Sequence, residues 1–146
     1  MEEQVRTLKL EQHVRFIPGV PFYRAQDLFQ QADIFLNPGD TDSIDKTGLE
    51  AMSCGLPIVT SNIAFKEVLP TDMQGISIVP KDDPAAFAET IATIAGWTPE
   101  VRRAFGLRGR DTVIADHSID SLADKLMASM RLLTAKKNNR DASNAG

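Results

Sequence analysis

The sequence predicts an α/β fold, with a parallel sheet of about four short strands, flanking helices and a helical C-terminal part. Short apolar runs alternate with stretches of helical spacing over residues 13–95. The apolar runs hold few polar residues, as is typical of parallel strands that helices cover on both faces. Ligands bind beyond the carboxyl ends of the strands in such sheets, so the polar segments that follow the strands form the candidate site.

The four strands are predicted from four apolar runs. The first two end at Pro-Gly pairs, which stop a strand and turn the chain. The predicted strands are Val14–Ile17, Asp33–Gly39, Leu56–Ser61 and Gly75–Pro80.

Helices are predicted between and after these runs, from apolar residues spaced three and four apart and from capping residues. "PFYRAQDLFQQA" has Pro21 in its first turn, "TGLEAMSCG" ends at Gly55, and a short helix surrounds "AFKEVL". The helices predicted beyond residue 80 are "DDPAAFAETIATIAG", with Asp82 or Asp83 as cap, then Pro99–Ala115, then a last helix capped by Ser118 or Asp120.

Length and composition predict one globular domain over residues 1–135 and a disordered polar tail over 136–146. The chain has 146 residues, of which 42% are hydrophobic and 25% charged, and its net charge of −4 argues against nucleic acid as a partner. A single cysteine, Cys54, fits a reducing compartment. No apolar run approaches the roughly 20 residues that span a bilayer, and the charged N-terminus is not a signal peptide. We therefore expect a cytoplasmic protein, either free or peripheral to the inner face of the membrane.

The candidate site is the stretch "DTDSIDKTGLEAMSCGLPIVT", which follows the second predicted strand. Seven residues separate Asp42 from Glu50, so a helix that begins near Asp45 places Asp42 before its start and Glu50 about one turn inside. Backbone amides from Ile44 to Thr47 would form an anion pocket there. Backbone amides can bind the phosphates of a nucleotide-sugar, and carboxylates can accept hydrogen bonds from its hydroxyl groups, so this stretch suits such a ligand. The alternative is that Asp42 or Asp45 only caps the helix and Glu50 is solvated.

The segment "VRFIPGVPFYRAQDLFQQADIFLNPGDTDSIDKTGLEAMSCGLPIVTSNIAFKEVL" resembles the donor-binding half of the retaining family 4 glycosyltransferases (glycosyltransferases group 1), which have the GT-B fold. The block "GLEAMSCGLPIVTS" is the longest part of that resemblance. It implies a Rossmann-like C-terminal domain of such an enzyme, with a nucleotide diphosphate sugar as donor and no bound metal. No other cofactor is implied, and neither His13 nor His117 has metal-ligand spacing around it.

The resemblance also implies roles for individual residues. Asp42 and Glu50 match the family's paired acids, of which Asp42 faces the transferred sugar near the reacting centre and Glu50 binds the ribose hydroxyls. The amides of Ser43, Ile44, Asp45, Lys46 and Thr47 hold the diphosphate, and Gly19 and Val20 lie along the base. The implied reaction is hexosyl transfer to an acceptor hydroxyl with retention at the anomeric carbon.

Two departures from the family pattern concern the phosphate end of the site. The first acid is Asp42 where the family has Glu, which is one methylene longer. Asp45 stands where a glycine lets the backbone approach the phosphates, and its charge repels them unless the neighbouring Lys46 turns inward to offset it.

The family's upstream basic strands and its N-terminal domain, which takes the acceptor (a glycan, lipid or small molecule), have no counterpart in the sequence. We expect the isolated chain to be inactive and to self-associate through an exposed sheet edge. The alternatives are a non-catalytic α/β interaction module derived from the same fold and a domain similar to nucleotide-sugar 2-epimerases.

Overall fold

The computed structural model describes residues 1–39, 41 and 43–144, and for Phe22 and 135–144 its description is confined to the backbone. The helices are α1 (Glu2–Thr7), α2 (Ala25–Phe29), α3 (Lys46–Ser53), α4 (Thr71–Ser77), α5 (Pro84–Ala95), α6 (Pro99–His117) and α7 (Ile119–Asn144). Two 3₁₀ turns cover Phe22–Arg24 and Ile63–Glu67. The strands are β1 (Phe35–Asn37) and β2 (Ile58–Thr60).

The α/β class is confirmed, but the sheet is smaller than predicted. Strands β1 and β2 pair in parallel, with Leu36 opposite Val59, and the segment after α4 adds a single parallel bridge between Thr60 and Ile78. The described residues therefore form a two-stranded sheet instead of a sheet of about four strands.

The first predicted strand, Val14–Ile17, is not a strand. Its backbone pairs with neither described strand, and Phe16 and Ile17 are each 46% exposed. An extended segment becomes a strand when a neighbour accepts its backbone hydrogen bonds, so its apolar composition is not sufficient.

The prediction of a fourth strand over Gly75–Pro80 is also wrong for residues 75–77. Residues 75–77 form the last turn of α4, because a helix lets Met73 and Ser77 be buried on one face. Only the residues beyond it reach the sheet, where the Val79 amide donates to the Thr60 carbonyl at 2.9 Å.

The helix predictions are confirmed in position. Asp83 caps α5 by accepting from the Ala86 amide at 2.9 Å, and Pro84 occupies its first turn. Ser118 caps α7 by accepting from the Ser121 amide at 3.1 Å. The described helical backbone of α7 reaches Asn144. The domain bounds and the disorder of residues 136–146 stay predictions.

Strand β2 is buried on both faces and divides the core in two. Ile58 packs in a cluster with Met52, Phe65, Met73 and other apolar residues, whereas Val59 packs on the opposite face with residues from α5. Successive side chains of a strand point to opposite faces, so the core holds β2 rigidly from both sides. The loops that leave the sheet at this point therefore start from fixed positions.

Candidate functional site

Helix α3 begins at the predicted place, at the carboxyl end of the sheet. Asp45 is its N-cap: one carboxylate oxygen accepts from the Thr47 amide at 2.9 Å, and the other accepts from the Asn37 side-chain amide at 3.3 Å. This is the capping role that the sequence left open for Asp45. The Thr47 amide, one of the predicted anion-binding groups, thus already has a carboxylate partner.

A buried asparagine holds the loop that precedes α3. Asn62, which is 1% exposed, donates from its side-chain nitrogen to the Ser43 carbonyl at 2.9 Å and to the Thr41 hydroxyl at 3.2 Å. Its side-chain oxygen accepts from the Ala64 amide at 3.0 Å. Since all these bonds come from one buried side chain, the loop after β2 fixes the conformation of the loop after β1.

Two more polar side chains hold the loop after β1. The Ser61 hydroxyl donates to the Gly39 carbonyl at 3.1 Å. Asn37, at the end of β1, accepts from the Gly39 amide at 3.0 Å. Ile44 anchors the same loop from inside, because its side chain packs against the apolar cluster around Met52. The start of α3 is consequently presented by a braced loop.

Glu50 lies one turn inside α3, as predicted, and it is not simply solvated. Its side chain is 28% exposed, and its carboxylate lies 3.7 Å from the Lys46 ammonium group, whose side chain is 79% exposed. Lys46 therefore extends along the helix towards Glu50, the pairing expected for residues four apart.

Glu50 also lines an open cavity of about 600 Å³ between α2, α3 and α6. Tyr23, Arg103 and Arg110 line the same cavity, and the Arg110 side chain donates to the Ser53 carbonyl at 2.9 Å. A carboxylate, two guanidinium groups and an aromatic ring can together bind a ligand that has both hydroxyl and anionic groups.

Three predicted site residues are not brought to this place by the described part of the structure. Asp42, the predicted catalytic residue, lies outside the described residues. Val20 lines a different groove, of about 390 Å³, beside Arg24 and Leu28. Gly19, next to it, has no heavy atom within 4 Å of the place where a Cβ would stand. The predicted base contact of Gly19 and Val20 stays a prediction.

Sequence reasoning missed Asn37, Ser61 and Asn62, which hold the loop, and Arg103 and Arg110, which line the cavity. The sequence could have indicated Asn37, Ser61 and Asn62, since they are polar residues directly at the ends of buried strands. The arginines belong to a helix far along the chain, and their spacing carries no motif.

Among the described residues, no group of three or more His, Cys, Asp or Glu side chains is arranged to hold a metal ion. None of the described helices is long and apolar enough to cross a membrane.

Comparison with protein families decides the assignment. The profile of the family described as "Glycosyl transferases group 1" matches residues 1–96. The chain belongs to this family.

Individual relatives agree with that assignment. The chain is 32% identical over 73 residues to the phosphatidylinositol N-acetylglucosaminyltransferase GPI3 subunit of Saccharomyces cerevisiae, covering 49% of this chain and 16% of that protein. It is 29% identical over 87 residues to a D-inositol 3-phosphate glycosyltransferase of Catenulispora acidiphila, covering 60% and 20%. It is 28% identical over 144 residues to the putative colanic acid biosynthesis glycosyltransferase WcaL of Escherichia coli, covering 90% and 35%. No solved structure matches the chain.

Proposed function

We propose that this glycosyltransferase-family chain supplies part of a donor site, in which the loop before α3 and the start of α3 bind a nucleoside diphosphate sugar. The observation that carries the proposal is the braced loop between β1 and α3, which Asn62 holds to the loop after β2. A preorganised helix N-terminus binds phosphate without reorganisation.

The proposed roles follow the chemistry of the donor. The amides of Ser43 to Lys46 face the diphosphate, and Glu50 accepts hydrogen bonds from ribose hydroxyls. Asp42 faces the transferred hexose, and Gly19 and Val20 lie along the base. The bond between the anomeric carbon and the diphosphate oxygen breaks and the diphosphate takes the electron pair. An acceptor hydroxyl attacks the anomeric carbon with retention, and its proton goes to the departing diphosphate oxygen. The helix dipole and amides stabilise the charge that develops on the leaving diphosphate.

We expect donor binding from the 146-residue chain, but no sugar transfer. The chain spans 16 to 35% of the length of the relatives described above, and the transfer reaction is proposed for a protein of their length. The names of two relatives mention inositol compounds, so we propose an inositol-bearing or glycan acceptor at the cytoplasmic side of a membrane.

The second candidate is a non-catalytic module that has kept the fold. The Asp45 carboxylate favours it, because a negative charge bound to the Thr47 amide repels an incoming phosphate. The two candidates differ in one property, the affinity for nucleoside diphosphates.

Calorimetric titration of UDP, GDP and ADP into the chain tests the proposal. We expect one of them to bind and Glu50→Gln to weaken it about tenfold, which is about 1.4 kcal/mol. The matched control is Glu89→Gln on the exposed side of α5, which should leave the affinity unchanged. Binding of none of the three would contradict the donor-site proposal and favour the non-catalytic module.

A further inference from the structure

Lys46, the first residue of α3, occupies a position that is locally unfavourable for a cation. The N-terminus of a helix carries partial positive charge, which repels an ammonium group. The ion pair with Glu50 offsets little of this repulsion. In this pair the basic residue precedes the acidic one, which is the weaker order for residues four apart, and the Lys46 side chain is 79% exposed. The helix and this ion pair therefore contribute little to keeping a lysine here.

The charges around the start of α3 make a cation useful for binding an anion. Lys46 is the only basic residue in the sequence from Ser43 to Ser53, which also contains the carboxylates of Asp45 and Glu50. The polar side chains that brace the loop before α3 are neutral amides and hydroxyls. A diphosphate that binds beside two carboxylates is repelled unless a cation compensates for its charge, and Lys46 is the cation that this stretch supplies.

The contact between Lys46 and Glu50 is loose enough to be exchanged. The ammonium nitrogen lies 3.7 Å from the Glu50 Oε1 atom, whereas a charge-assisted hydrogen bond between such groups measures about 2.7–2.9 Å. Breaking this exposed contact costs little. A phosphate oxygen at the start of α3 offers the ammonium group a hydrogen bond with a more highly charged acceptor.

We propose that Lys46 binds the diphosphate of the donor and that its ammonium group leaves Glu50 for a phosphate oxygen when the donor binds. This inference rests on the donor site proposed above. The Cα–Cβ bond of a helical residue points towards the N-terminus of the helix, so the flexible stem of Lys46 can turn towards the loop before α3. The exchange frees the Glu50 carboxylate, whose side chain is 28% exposed, to accept hydrogen bonds from the ribose hydroxyls.

The alternative is a lysine that only pairs with Glu50 on the surface of α3. The two roles differ in what they predict for a nucleoside, which has the ribose and the base but no phosphate. If Lys46 exchanges partners, loss of its charge weakens the diphosphate alone, because the nucleoside needs Glu50 and does not need the ammonium group. If Lys46 only pairs with Glu50, loss of its charge does not weaken the diphosphate.

Titration of the 146-residue chain with a nucleoside diphosphate and with the corresponding nucleoside tests the proposal. The probe is whichever of UDP, GDP and ADP the wild type binds; calorimetry measures the diphosphate and NMR chemical shifts measure the weaker nucleoside. Lys46→Gln should weaken the diphosphate about tenfold. It should leave the nucleoside bound at least as tightly, because Glu50 has then lost a competing partner. Glu50→Gln should weaken both ligands.

Two control variants separate this role from a general effect of charge. Lys46→Arg keeps the cation and should keep most of the affinity for the diphosphate. Arg131→Gln removes the same charge from an exposed position on α7 and should change the affinity for neither ligand. Added salt should weaken diphosphate binding less steeply in Lys46→Gln than in the wild type, because one ionic contact is already missing.

Each contrary outcome has its own meaning. Equal diphosphate affinity in the wild type and Lys46→Gln would leave the donor site in place and overturn the role of Lys46. Equal weakening of nucleoside and diphosphate would show that Lys46 acts only through the structure of α3, and an equal loss in Arg131→Gln would show an effect of net charge alone. A wild type that binds neither ligand would overturn the donor-site proposal and the role of Lys46 with it.

Discussion

At the scale of single residues, Asn62 is the side chain on which the loop before α3 depends most. It is buried and joins two loops through both ends of its amide group. A buried polar group that loses its partner keeps the full cost of its desolvation, whereas a partly exposed one is rescued by water. Asn62 is therefore a structural residue of the proposed donor site, acting through the loop backbone.

Replacing Asn62 by alanine should destabilise the fold by about 2–3 kcal/mol, because the Ser43 carbonyl and the Ala64 amide both lose their partner. The comparison variant is Ser61→Ala, which removes one hydroxyl bond to Gly39 and should cost about 1 kcal/mol. Urea unfolding measures both values. Equal losses in the two variants would show that Asn62 does not brace the loop.

Asp45 offers a test that separates capping from charge. Asp45→Asn keeps a side-chain oxygen for the Thr47 amide and removes the negative charge, but its NH2 group cannot accept from the Asn37 side-chain amide, so stability should fall by about 1 kcal/mol. Affinity for the bound nucleoside diphosphate should rise about three- to tenfold, since one repulsive charge is lost at the helix start. Calorimetry measures the affinity, and an unchanged or lower value would place the phosphates elsewhere.

At the scale of elements, α3 is positioned by its packing against α6. Gly106 lies so close to the end of α3 that a Cβ at this position would overlap the Gly55 carbonyl oxygen and stand 2.8 Å from its carbon. Gly55 itself has a φ of +82°, which glycine adopts without strain and which lets the chain turn from α3 into β2.

We expect Gly106→Ala to destabilise the protein by about 1–3 kcal/mol, because the obstructing group is backbone and α6 must move away from α3. The control is Gly75→Ala in α4, where a Cβ meets nothing within 4 Å. Alanine there should be neutral or stabilising by up to about 1 kcal/mol, because it has the higher helix propensity. Thermal unfolding distinguishes the two, and a neutral Gly106→Ala would contradict the close packing.

The elements that the sequence predicts correctly are those with local signals. Caps and first-turn prolines mark α5 and α6, and Gly55 marks the end of α3. Strands depend on partners elsewhere in the chain, so the apolar run Val14–Ile17 predicted a strand that the structure lacks. In the site, the start of α3 and the place of Glu50 were predictable, whereas the loop-bracing role of Asn62 depends on contacts about 20 residues apart.

At the scale of the whole molecule, a small parallel sheet holds one well-braced loop at its carboxyl end. The core is covered on both faces of β2, while α7 and the segment around Phe16 leave apolar groups exposed. Exposed apolar patches of this kind mark surfaces that associate. The fold thus combines a rigid site region with surfaces suited to further contacts.

The most direct test of the donor-site claim is a titration of amide-resolved NMR spectra with the nucleoside diphosphate that binds. We predict the largest shifts at the amides of Ser43 to Thr47, Gly39 and Glu50. Residues of α5, such as Glu89, should not shift. Shifts confined to the cavity side, around Arg103 and Arg110, or no shifts at all, would contradict a diphosphate site at the start of α3.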